Sequence, residues 1–241
     1  MTSQGTQRIR DSLIGTPLLG EGGTRFHVRE LLGEGGQGWV FKANYDDPDG
    51  YWIVVKILRP EGLSRETLDR FERETKVLQM LGGAAAPNPN IVRFYDHGFH
   101  KMELYGSMLP VPFIALEYVE GPTLAMVLDQ NPQGLALPRT LRMMKQVARA
   151  LNTVHEHRIV HRDLKPSNII LATQHGQEIA KVTDFGLVKA PGLSAKSTAT
   201  IAGATLGYAP PEQYEMGNSR VGAQTDVFSF ASILYERIRG Q

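Results

Sequence analysis

The 241-residue chain is predicted to fold as an α+β protein in two parts, a β-rich first half with one main helix and a mostly helical second half. Three observations carry that expectation. Short β-favouring runs separated by Gly-rich and Asp-Pro-Asp-Gly turns fill residues 26–58. After Gly121-Pro122 the apolar spacing becomes helical. With 41% apolar and 21% charged residues, the chain can bury one large domain or two packed lobes, with no general sign of disorder.

Residues 1–25 are rich in Gly, Ser and Thr and lack a sustained period, so they read as an extension or linker with no part in a core. Strands are expected over 26–32, 39–43 and 51–58. Residues 64–81 switch to helical spacing with Phe71, Leu78 and Leu81 on one stripe, and Gly82-Gly83 ends the run. Strand-like runs at 91–99 and 113–117 flank residues 101–112, which have no regular period and read as a loop. In the second part, Leu141, Met144, Ala148 and Leu151 mark a long amphipathic helix ending near His155. Short strands at 169–172 and 179–183 bracket a turn at Gln174-His175-Gly176, and a last helix covers 226–239. The divisions expected are 1–25, 26–120 and 121–241.

A formal net charge of +1 gives no uniform basic field for nucleic acid, so no nucleic-acid partner is expected. The absence of cysteine excludes disulfide scaffolds and thiolate-bound metals and fits a reducing compartment. No apolar run reaches the roughly 18 residues of a membrane span, and residues 1–25 lack a signal peptide's apolar core. A cytoplasmic location is therefore expected.

The chemistry concentrates in two loop motifs. His161-Arg162-Asp163-Leu164-Lys165-Pro166-Ser167-Asn168 and Asp184-Phe185-Gly186 place two acids, a lysine and a carboxamide at the spacing that phosphoryl transfer needs. Asp163 can accept a hydroxyl proton, Lys165 can neutralise a moving phosphoryl, and Asn168 and Asp184 can hold magnesium. Histidines 155, 157 and 161 suggest a metal centre, but His155-Glu156-His157 does not match H-E-x-x-H, and magnesium is the metal expected.

Gly33-Glu34-Gly35-Gly36-Gln37-Gly38-Trp39-Val40 fits G-x-G-x-x-G-x-V between two strands, where glycines let backbone amides approach phosphates. Alone it could be an ordinary Gly-rich hairpin. Leu18-Leu19-Gly20-Glu21-Gly22-Gly23 starts alike but has Arg25 where the third glycine belongs, which makes the second copy the better phosphate loop. A dinucleotide site would need a helix directly after the glycines, whereas Trp39-Val40-Phe41 continues as a strand. Lys56, inside the apolar strand Ile53 to Leu58, needs an anionic partner, and Glu74 on the stripe of Phe71 and Leu78 can supply it.

Taken in order, these motifs resemble the eukaryotic-like protein serine/threonine kinases over residues 26 to about 239. Lys165-Pro166-Ser167-Asn168 resembles the serine/threonine branch, and Pro211-Glu212-Gln213 is similar to bacterial members. The resemblance implies a bilobal protein-kinase fold with ATP and Mg2+. Asp163, Lys165, Asn168, Lys56 and Glu74 would be catalytic, and Asn168 and Asp184 would be metal ligands. Gly33, Gly35, Gly36, Gly38, Val40, Val54, Lys56, Leu116, Glu117 and Val119 would bind nucleotide, with Lys56 on the α- and β-phosphates and Leu116 the gatekeeper in Phe113 to Gly121. His161 would brace the catalytic loop.

Ser194, Ser197, Thr198 and Thr200 fall where the family has an activation loop, and Arg162 beside Asp163 suggests a loop phosphate on Thr198 or Thr200. Thr205 matches the threonine that bonds near the catalytic aspartate and lysine. Departures are Val54 for the usual alanine, Asn88 for the histidine of H-P-N-I-V, Pro210 for the alanine of A-P-E, and Phe228 for a frequent tryptophan. Family members continue past the helix starting near Asp226, and the arginine that would pair with Glu212 is not found. A C-terminally truncated kinase domain is therefore expected, with a homodimer for activation or to cover the open C-lobe. The expected substrate is a protein with a Ser/Thr acceptor. Competing readings are a pseudokinase acting as a nucleotide-dependent switch or scaffold, and a small-molecule phosphotransferase.

Overall fold

A computed structural model describes residues 3–35, 38–47, 49–60, 63–82, 88–104, 106–185, 207–210, 213 and 221–239. The chain divides into two compact units, Met1–Ala85 with Arg93–Tyr118, and Ala86–Val92 with Val119–Gln241.

The first unit is an antiparallel sheet in the order β1-β2-β3-β4-β6-β5, formed by β1 (Pro17–Leu19), β2 (Arg25–Glu34), β3 (Gly38–Tyr45), β4 (Trp52–Leu58), β5 (Phe94–Leu104) and β6 (Ser107–Glu117). Period-two alternation decides its faces. Trp39, Phe41, Ala43, Ile53, Val55, Ile57, Phe113 and Ala115 are fully buried and form the core with Phe26 and Val28. Between them, Val40, Lys42, Val54 and Lys56 are only half-buried and share the opposite face. Helix α2 (Arg65–Gly82) packs on β5 and β6, with Phe71 edge-on to Phe99. The Ser64 hydroxyl caps its start by accepting the Thr67 N–H at 3.1 Å.

Residues 1–25 depart from expectation. They contain helix α1 (Ser3–Ser12) and strand β1, and Leu13 and Leu18, 1% and 0% exposed, belong to the sheet core. The two leucines lie on either side of the Gly15 turn, whose φ of 84° breaks any period the sequence could display. Leu18→Ala is expected to destabilise the protein by about 2–5 kcal/mol, and Leu19→Ala, at an exposed position, by less than about 0.5. Denaturant unfolding of both variants checks this; equal losses would return the segment to the status of a linker.

Residues 101–112 also differ from the loop expected. They complete a long hairpin that runs in register from Phe99↔Pro112 through Lys101↔Pro110 to Leu104↔Ser107. Pro110 and Pro112 disguise the strand, because β4 pairs with β6 only as far as Phe113 and leaves that edge open to residues without an N–H.

The second unit carries α3 (Leu124–Asp129), α4 (Leu137–Glu156), the hairpin β7 (Ile169–Gln174) and β8 (Gln177–Val182), and α5 (Ala223–Arg239). Helix α4 lies where expected, but its buried face is Thr140, Met143, Met144, Val147, Ala150, Leu151 and Val154, whereas Leu141 and Ala148 are exposed. His175 and Gly176, at φ 50° and 75°, make the two-residue turn whose twist suits a tight hairpin. Asn90 ties the entering segment down: its Nδ2 donates to Gln146 Oε1 and to the Ala180 carbonyl, both at 2.9 Å. Asn88 Nδ2, at the position of the family's histidine, donates to Thr153 Oγ1 at 2.8 Å and to the Arg149 carbonyl at 3.1 Å.

Candidate active site

The half-buried sheet face of the first unit collects the expected nucleotide-binding side chains. Register places Val40 opposite Lys56 and Ile114 beyond it, with Val54 opposite Leu116 in the next row, so one surface presents four apolar groups beside the Lys56 ammonium. Gly33 is the last residue but one of β2 and Gly38 starts β3, and the Gly35 N–H donates to the Gly38 carbonyl at 3.0 Å. Gly38 cannot carry a side chain, because a Cβ there would lie 2.2 Å from the Ile57 carbonyl oxygen. At the earlier Gly-rich run the amides are already used: Glu21 N–H donates to the His97 carbonyl and Gly22 N–H to Asp96 Oδ2. Glu117 exchanges backbone contacts with Arg93, donating its N–H at 2.8 Å and accepting the Arg93 N–H on Oε2 at 3.1 Å. Val119, in the second unit, is half-buried and outside regular structure.

In the second unit, the polar residues of the catalytic-loop motif converge on Asp163. Lys165 Nζ lies 3.2 Å from its Oδ2, and Asn168 Nδ2 donates to its carbonyl at 2.9 Å and to Oδ2 at 3.3 Å. Asn168 sits in a single 3₁₀ turn, Pro166–Asn168, and its carbonyl accepts the Thr183 N–H at 3.0 Å, which brings the strand leading to Asp184 alongside. With Nδ2 spent on Asp163, the amide oxygen of Asn168 is the one group of its side chain left to accept or ligate, and it and the Asp184 carboxylate are hard oxygens of the kind that could hold magnesium.

Asp226 orders this loop. It is fully buried, and its carboxylate accepts the N–H of His161 at 2.8 Å and of Arg162 at 2.9 Å, while His155 Nε2 donates to it at 2.7 Å. These bonds hold Arg162 at φ 64°, a left-handed conformation that a non-glycine residue adopts at a cost of about 1–2 kcal/mol. Gln213 Nε2 donates to the Arg162 carbonyl at 2.7 Å from the other side. Ser229 on α5 donates to the Tyr208 carbonyl at 2.7 Å, and the Tyr208 hydroxyl donates to Glu236. The sequence marks Asp226 only as a helix start; a signal was present, since it is the one charge in α5 before Glu236.

His161 has its tautomer set by its partners. Nδ1 accepts the Asp163 N–H at 3.2 Å, so Nε2 carries the proton and donates to the Thr183 carbonyl at 3.0 Å. The ring packs on Phe185 with centroids 4.8 Å apart. Burial pulls the imidazole below its ordinary 6.5, outweighing the opposing effects of Asp226, the Thr183 carbonyl and the nearby acids. The folded protein therefore refuses a proton that the unfolded chain accepts. Its contribution is complete above about pH 6.5 and is lost as the pH falls toward the folded value, at up to about 1.4 kcal/mol per pH unit. Thermal melts at pH 7.5 and 5.5 should show a smaller acid loss in His161→Asn than in wild type, and equal losses would remove this assignment.

Gly36, Gly186, Ser194, Ser197, Thr198, Thr200, Thr205, Pro211 and Glu212 lie outside the described residues, as does the side chain of Glu74 and with it the expected Lys56–Glu74 pair. Among the described residues no cluster of three or more His, Cys, Asp or Glu could hold a metal, and no helix is long and apolar enough to cross a membrane.

Comparison with known proteins agrees with the geometry. The matching family description is that of the protein kinase domain, over residues 26–241. Serine/threonine-protein kinase A of Synechocystis sp. is 30% identical over 226 residues, 90% of this chain and 41% of that protein. A probable serine/threonine-protein kinase of Streptomyces coelicolor is 36% identical over 219 residues, 89% of this chain and 30% of that protein. Serine/threonine-protein kinase PknA of Mycobacterium tuberculosis is 33% identical over 229 residues, 95% of this chain and 49% of that protein. The chain spans less than half the length of these curated relatives.

Proposed function

The chain belongs to the protein kinase family, and from that premise we propose that it transfers the γ-phosphoryl group of ATP to serine or threonine hydroxyls of proteins. The observation that carries the reading is the convergence of Lys165 and Asn168 on Asp163 Oδ2, in a loop braced by a buried carboxylate. In this reading residues 26–120 are the nucleotide-holding lobe and its hinge, and 121–241 belong to the transfer lobe.

Asp163 takes the proton of the attacking hydroxyl and aims its oxygen at phosphorus. Lys165 supplies positive charge beside the moving phosphoryl, and Asn168 fixes the carboxylate through its amide nitrogen. Asn168 Oδ1 and Asp184 would hold magnesium, which when bound would neutralise charge on the phosphate oxygens. Lys56, oriented by Glu74, binds the α- and β-phosphates under the amides of Gly33, Gly35, Gly36 and Gly38. Val40, Val54 and Leu116 contact the base, and backbone groups near Glu117 and Val119 meet its edge. Phosphorylation of Thr198 or Thr200 by the kinase itself, and a cytoplasmic location, complete the proposal.

Intact-mass spectrometry before and after incubation with magnesium and ATP tests it. Wild type should gain phosphate, mapped to Thr198 or Thr200, and Asp163→Asn should not. Equal masses in both proteins would reject the reading.

A further inference from the structure

The Gly-rich loop of the first unit is joined to the amino-terminal helix by a charge network that the loop motif itself does not predict. Glu34, between Gly33 and Gly35, has both carboxylate oxygens occupied. Oε2 accepts Arg10 Nη1 from α1 at 2.9 Å, and Oε1 accepts Arg59 Nη2, just past the end of β4, at 2.6 Å. Arg10 is itself braced, donating Nε to Asp11 Oδ1 at 2.9 Å, and only 18% of its side chain is exposed. Its two acidic partners hold its guanidinium above the ordinary arginine value, Asp11 most strongly and Glu34 after it. Helix α1 offers a firm support because Leu13 follows it directly into the core, and the Gly15 N–H donates to the Val28 carbonyl at 2.9 Å.

We infer that Arg10 is a positioning residue for the Gly-rich loop: through Glu34 it fixes the β2 side of the loop and thereby the phosphate end of a bound nucleotide. Arg59 holds the same carboxylate from the residue that follows β4, so the loop's entry strand is clamped from two sides. An unclamped Gly-rich hairpin samples many conformations, and a nucleotide has to order it on binding; the clamp makes that ordering part of folding. The inference rests on the kinase reading above, since it needs a nucleotide at this loop.

The test uses the full chain and the non-hydrolysable analogue AMP-PNP with magnesium, titrated by calorimetry, together with kcat and KM for ATP in autophosphorylation. Arg10→Ala should raise the dissociation constant and KM by about three- to fivefold and leave kcat within about twofold, the range of a partly exposed ion-pair network. Arg10→Lys should recover most of the loss, and Glu34→Gln should weaken binding similarly but add little in the Arg10→Ala background. Wild-type binding matched by Arg10→Ala would overturn the inference and leave the kinase reading standing. Wild type that binds no AMP-PNP would overturn both. A fall in kcat alongside the melting temperature, with KM unchanged, would reduce Arg10 to a structural residue.

Discussion

Asp226→Ala is expected to lower stability by about 3–5 kcal/mol and to abolish phosphoryl transfer together with it. The carboxylate is fully buried and satisfies the His161 and Arg162 amides and His155 Nε2 at once. Removing it leaves those donors without their acceptor, at about 1–3 kcal/mol for each one orphaned in the interior. It also removes what holds Arg162 at φ 64°, so the loop relaxes and Asp163 moves from its place. Asp226→Asn keeps the shape but turns an amide nitrogen toward an N–H, and should fall between alanine and wild type. Thermal unfolding with an autophosphorylation assay checks both; alanine melting like wild type would show that the loop is held by something else.

Asp163→Asn separates chemistry from folding. Its partners, Lys165 and Asn168, remain next to a side chain of the same size, so the melting temperature should stay close to that of wild type. Loss of the proton acceptor should slow transfer by about 10²–10⁴-fold. Binding of AMP-PNP with magnesium should persist, since the expected nucleotide contacts lie elsewhere. Turnover within a fewfold of wild type would move the role of base to another group.

Much of this was legible in the sequence because it is local. Period-two runs mark β2, β3 and β4, and the motif from His161 to Asn168 brings its own partners within a few residues. What escaped was non-local or masked. Asp226 meets His161 across 65 positions, and no spacing rule reaches that far. Leu13 and Leu18 enter the core around a positive-φ glycine, leaving no period to read. Leu141 and Ala148 pointed to the wrong face of α4 because an exposed leucine looks like a buried one in a list of residue types. Arg10 and Glu34 stand 24 positions apart, and no local pattern links them before the fold brings them to 2.9 Å.

The two prolines of the long hairpin have a consequence for behaviour at high concentration. The ladder between β5 and β6 runs unbroken past Pro110 and Pro112, so their missing N–H groups lie on the other side of β6, along the stretch that β4 does not reach. An incoming strand would find no donors at those two positions and could not zip along that edge. The β6 side of the hairpin's end, with Met108 59% exposed, can thus be apolar without offering a pairing edge there, which leaves β5, the outer strand of the sheet, as the edge that strand addition would use.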